Sequence, residues 1–161
     1  MKGGLFFMKL SELFKMQEKF INNVSKIDTA HEQDVKYGKI LALQVKIAEI
    51  ANETKCFKRC KSKNNFNKDI LLKKYTDCLY IMISIGFNNN FIPEEIFCKT
   101  STFDLTAQFE NLYIDINDFV VCSSLDHYIT LFEDFISLGN SLNFDEIEII
   151  NSCINNNVAK Q

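Results

Sequence analysis

The stretch ALQVKIAEIANETKCFKRCK, residues 42–61, read together with KKYTDCLYIMISIG, residues 73–86, decides the fold of this chain. At a helical period Lys46, Glu49 and Glu53 stand at i, i+3 and i+7, so one face carries two carboxylates and an ammonium, with the Asn52 amide beside them. Lys74 and Asp77 are three apart and share a face of the second stretch. Leu41, Val45 and Ala48 surround the first group, and Leu79, Ile81, Ile83 and Ile85 the second. Ionisable groups set among apolar residues are either paired or chemically engaged.

Working outward, residues 37–61 read as one long helix, apolar over much of its circumference through Ile40, Leu41, Ile47 and Ile50 and therefore expected to be covered on several sides. SKNNFNK, residues 62–68, is a loop by composition, and Asp69 is placed to cap a helix over residues 70–85 that stops at Gly86. Upstream, Leu10, Leu13, Phe14, Gln17, Phe20, Ile21 and Val24 keep the 3.6 period and predict a helix over residues 9–24, with Ser11 as its cap. Residues 25–36 form a polar connection in which Thr29 and Glu32 make a capping box for a short helical turn.

Downstream, residues 88–102 are irregular around Pro93, with one helical turn expected at 94–97. Leu105, Phe109, Leu112, Ile116 and Phe119 predict a helix over residues 104–121, opened by Thr102 or Asp104. Ser124 caps the next, residues 125–138, with Gly139 as its stop, and Asp145 caps a last one over residues 146–155. No run alternates with period two and Pro occurs once, so strands have almost no support. The expected architecture is all-α, a four-helix-bundle core with additional short helices. It forms one domain over residues 8–161 behind an N-terminal extension, residues 1–7, with Met8 as a candidate natural start.

With 161 residues and 47% of them apolar, the chain can bury a substantial core. A net charge of -3, with Arg59 the only arginine, argues against nucleic acid, which requires a basic stripe. No apolar run approaches the roughly 20 residues of a membrane span, and the opening MKGGLFFMKL lacks a signal-peptide pattern. The six cysteines lack the dense spacing of a secreted disulfide scaffold, so reduced thiols and a cytoplasmic location are expected. Cys56 and Cys60 are one turn apart, but zinc needs two further ligands, and His31 and His127 show no helpful spacing. The abundance of Asn, Lys, Ile and Phe reads as A/T-rich coding.

Several motifs in order carry a resemblance: LFxxQ at residues 13–17, the ALxVxxxExANE pattern at 42–53, Phe57 with Lys58, Tyr75 with residues 77–79, SIG at 84–86, Phe109, LFEDFISLGNSLNF at 131–144, and Asn157. In these the chain resembles the all-α dimeric dUTPases, a group within the MazG-like nucleoside-triphosphate pyrophosphatases. The resemblance implies a helical homodimer that hydrolyses dUTP to dUMP and pyrophosphate with magnesium. It also implies that two carboxylates three apart on one helix and two on the next converge on metal, because magnesium takes hard oxygen ligands and neutralises the triphosphate. The matching positions are Lys46, Glu49, Lys74 and Asp77, so Glu49 and Asp77 are the retained metal ligands, with Glu53 beside them as a further catalytic carboxylate. Gln17, Asn52, Lys58 and Asn157 are the implied substrate-binding residues.

The departures concentrate at this site. Lysine at Lys46 and Lys74 removes two oxygen ligands and adds two positive charges, which makes a two-metal site of the family type implausible and magnesium doubtful. Ile21, Lys55, Cys60 and Tyr80 replace the family's Asp, Arg, Trp and His, and the sequence lacks the basic and Gly-Tyr residues expected after Asn157. Two arrangements suit the lysines: ion pairing between the two helices, or extension into solvent at the bundle edge. Two functions stay open. One is a dUTPase-like enzyme with impaired catalysis, holding one magnesium through Glu49, Glu53 and Asp77. The other is a non-catalytic dimeric bundle of a phage or mobile element that binds dUTP, dUMP or a protein partner.

Overall fold

Ile40, Leu43, Ile47 and Ile50 recur at three- and four-residue intervals and are buried on a single side of α1, Glu32–Thr54. The computed structural model describes residues 6–8, 13–15, 18, 32–58, 66–98 and 100–158. Helix α1 begins earlier and ends earlier than its sequence predicts. It stops because Lys55 turns left-handed at φ 54°, while the Thr54 hydroxyl and the Lys55 amide both bond the Ala51 carbonyl, at 2.9 Å and 3.0 Å.

Asn67, not Asp69, caps α2, Lys68–Asn88: its side chain accepts from the amides of Asp69 and Ile70. This helix packs against α1 as the first hairpin and supplies Leu71, Tyr75, Cys78, Leu79, Met82 and Ile83 to the core. The second hairpin joins α3, Leu105–Val121, capped by Asp104, to α4, Leu125–Ser141, capped by Ser124. Asp145 opens α5, Glu146–Val158, by a reciprocal box: its carboxylate accepts from the Glu148 amide at 2.8 Å, and Glu148 accepts from the Asp145 amide at 3.1 Å. Helix α5 lies on α2, and α3 reaches α1 through Tyr113, whose hydroxyl donates to the Gln44 carbonyl at 3.1 Å.

The two glycines expected to stop helices lie inside them instead. Gly139 sits in α4, where an added Cβ would meet the Tyr75 hydroxyl at 2.5 Å, and Gly86 sits in α2, where it would crowd Tyr128 and come within 2.7 Å of the Phe91 carbonyl. Each tyrosine donates across the bundle to the carbonyl four residues before the facing glycine: Tyr75 to Phe135 at 3.2 Å, Tyr128 to Met82 at 3.0 Å. Tyr75 also stacks on Phe135 with ring centroids 4.4 Å apart. Glycine is therefore required here by close approach between helices.

One small ladder departs from the helical pattern. β1, Phe6–Met8, pairs antiparallel with β2, Ile96–Cys98, with Phe7 opposite Phe97. A strand thus replaces the helical turn expected at 94–97, and Phe6 and Phe7 join the ladder although residues 1–7 read as an extension. The preceding residues explain it: Asn90, left-handed at φ 57°, takes the chain out of α2, Pro93 biases the residue before it away from the helical region, and Ile96 fills the core. Of the helix expected over residues 9–24, residues 13–15 and 18 are described and helical, with Leu13 and Phe14 in the core. The rest of it, and the Thr29 box, lie outside the described residues. The all-α reading holds, with α1 to α4 as the bundle core.

Helix α1 is also less covered than its composition suggests. Tyr37, Leu41 and Val45 are 62%, 62% and 50% exposed, so among the described residues α1 is flanked by α2 and α3, with this third side open.

Candidate active site

The charged cluster forms because α1 and α2 run side by side with their ionisable positions turned toward the shared groove. Lys46 bonds Glu49 along α1, Nζ to Oε2 at 3.0 Å and to Oε1 at 3.3 Å. Lys74 crosses from α2 to Glu53 on α1, Nζ to Oε2 at 3.2 Å. The side chains are 28–38% exposed, so the pairs line the groove and are not sealed inside the bundle. Pairing between the two helices thus occurs at Lys74 with Glu53, while Lys46 pairs along its own helix. The physical reason is reach: Lys46 meets Glu49 one turn along its own helix, and Lys74 meets the more distal carboxylate, Glu53.

Beneath the groove lies the Cys78 thiol, fully buried, its pKa raised first by burial and then by Asp77 and Glu49 against the opposing charge of Lys46. Asp77 faces Cys153 of α5 as well: burial, then the Asp77 charge, pushes that thiol up to about 12. Helix α5 is tied down next to Asp77 by Thr76, whose hydroxyl contacts Ser152 Oγ at 3.1 Å and accepts from Asn156 Nδ2 at 2.9 Å. Sequence reasoning missed Cys78, Cys153, Ser152 and Asn156. The signal was available in part, since Ser152 and Asn156 are one turn apart on the last helix.

Among the implied substrate residues, Asn52 is exposed on the outward side of α1, and Lys58 is exposed beyond the helix end. Asn157 lies in α5 with its side chain outside the described residues, and Gln17 lies outside them altogether. Further along the groove Gly38, Lys39, Ala42, Tyr80, Ile81 and Ser84 line a cleft of about 330 Å³. Burial there lowers the Lys39 pKa and pushes the Tyr80 phenol up to about 12.

A family model described as dUTPase matches residues 9–161. The chain belongs to the all-α dUTPase family. No curated protein matches it. The dUTPase family implies magnesium held by carboxylates, and in this chain Lys46 and Lys74 occupy two of those positions. Two ammonium groups lie against the carboxylates of Glu49 and Glu53, and among the described residues no three Asp, Glu, His or Cys side chains gather as a metal-ligand group. A hard dication takes several carboxylate oxygens, and here those of Glu49 and Glu53 face ammonium groups. Among the described residues of this dUTPase-family chain no helix is long and apolar enough to cross a membrane.

Proposed function

We propose that this member of the dUTPase family retains the bundle and its groove while hydrolysis of dUTP to dUMP and pyrophosphate is lost or severely impaired. The observation that carries the reading is the engagement of carboxylates by lysine: Glu49 by Lys46 at 3.0 Å and Glu53 by Lys74 at 3.2 Å. Phosphoryl transfer depends on positive charge held at the transferring phosphate and on an activated water. Lysine–glutamate pairs are neutral overall and generate no hydroxide, so they supply neither element, while Lys74 with Glu53 joins the two helices.

What the groove can still do is bind. A cleft of about 330 Å³ with apolar walls and the half-buried Lys39 ammonium suits a small anionic or nucleotide-like ligand. The bare stripe of Tyr37, Leu41 and Val45 on α1 supports pairing with a second copy, in keeping with a dimeric, non-catalytic binding module of a phage or mobile element. Thermal unfolding with and without magnesium tests the central part of this reading. The unaltered chain gains no stability from magnesium, whereas Lys46→Glu combined with Lys74→Glu does. Stabilisation of the unaltered chain by magnesium overturns it.

A further inference from the structure

Away from the lysine pairs, α3 and α4 pack as a hairpin and bring two acidic side chains together. The Asp115 carboxyl on α3 lies beside the Asp134 carboxyl on α4, close enough for the two to share a proton. Oδ2 of Asp115 is buried with no donor within hydrogen-bond reach. Two carboxylates cannot bond each other without a proton, because neither has a hydrogen to donate. We propose that Asp115 and Asp134 form a proton-operated latch between α3 and α4, closed while one proton is shared and strained once both carboxyls are ionised.

The surroundings support this reading. Burial, then the charge of Asp134, its hydrogen bond and the charge of Asp118 push the Asp115 carboxyl up to about 7, with His127 opposing them. Helix α1, which also packs on α3, turns Lys46, Glu49 and Glu53 toward α2. Helix α2 meets α4 through Tyr75, Phe135 and Tyr128, and β2 brings Ile96, Phe97 and Cys98 to it. Asp134 also lines a cavity of about 200 Å³ with Thr100, Ser101, Thr102 and Asn111, which gives the pair a route to solvent protons.

The direction follows from linkage. The folded chain holds this proton up to about 7, while the group's ordinary value is 3.8, so folding takes up a proton between those limits. Stability from the latch is full below the ordinary value, declines as pH rises through about 7, and is level above it. The test is thermal unfolding of the full chain from about pH 5 to about pH 8, beside Asp115→Asn, whose amide donates to Asp134 at every pH. Relative to the variant, the unaltered chain loses about 4 °C or more of Tm over this range. Difference infrared spectroscopy of the unaltered chain provides a second readout: a protonated carboxyl band persists at about pH 6 and disappears at about pH 8. Parallel Tm profiles for the two proteins, or no carboxyl band at about pH 6, overturn the proposal.

Discussion

Lys74 on α2 holds Glu53 on α1 at 3.2 Å, so the two helices that would converge on metal are joined by a direct ion pair. Both side chains are 28% exposed, which leaves the pair screened enough to contribute on the order of 1 kcal/mol. Lys74→Glu sets a carboxylate against Glu53 and is expected to lose about 1–2 kcal/mol in urea denaturation, with Lys74→Met losing less. Equal stability of all three proteins would show that the lysine extends into solvent.

The tyrosine and glycine contacts between α2 and α4 predict a larger effect. Gly139→Ala drives a methyl into Tyr75, and Gly86→Ala drives one into Tyr128 and the Phe91 carbonyl. Each is expected to cost about 1–3 kcal/mol or more by overpacking, although alanine is the better helix former by about 1 kcal/mol. A gain in denaturation midpoint for either variant would contradict the packing described.

Thiol chemistry should follow burial. Cys122 is exposed, whereas Cys78 is fully buried and Cys153 is held at about 12. Alkylation at neutral pH, read by peptide mass, is expected at Cys122 well before Cys153, with Cys78 last. Early modification of Cys78 in the folded chain would mean that the groove floor opens to solvent.

Much of this was legible in the sequence because helices advertise their buried side. Ile40, Ile47 and Ile50, and likewise Leu112, Ile116 and Phe119, announce both the helix and its inward face. The bare third side of α1 was not legible, since Tyr37, Leu41 and Val45 are apolar whether or not anything covers them. Gly86 and Gly139 were misread for a similar reason: a glycine that ends a helix and one that admits a facing tyrosine look alike until the partner helix is placed. At the site, the substitution of carboxylates by Lys46 and Lys74 was visible, but the choice of Glu53 over Asp77 as the partner of Lys74 depends on how the helices align. The Asp115 and Asp134 contact joins residues on different helices, and no local pattern announces it.

The start of α5 gives a pH test at the opposite extreme. Glu148 has its pKa lowered by the hydrogen bond from Lys68, then by the Asp145 amide. A depressed carboxylate adds stability above its ordinary value of 4.5 that is lost as pH falls through its folded value. Glu148→Gln should therefore flatten the acid limb of the stability profile, and an unchanged acid limb would remove Glu148 from that role.

The central claim concerns turnover, and pyrophosphate release from dUTP with magnesium measures it most directly. The unaltered chain and the double variant Lys46→Glu plus Lys74→Glu are compared side by side under identical conditions. The account predicts release at the blank rate from the unaltered chain and a magnesium-dependent rise in the double variant, where all four family ligand positions carry carboxylates. Brisk magnesium-dependent release by the unaltered chain would contradict it.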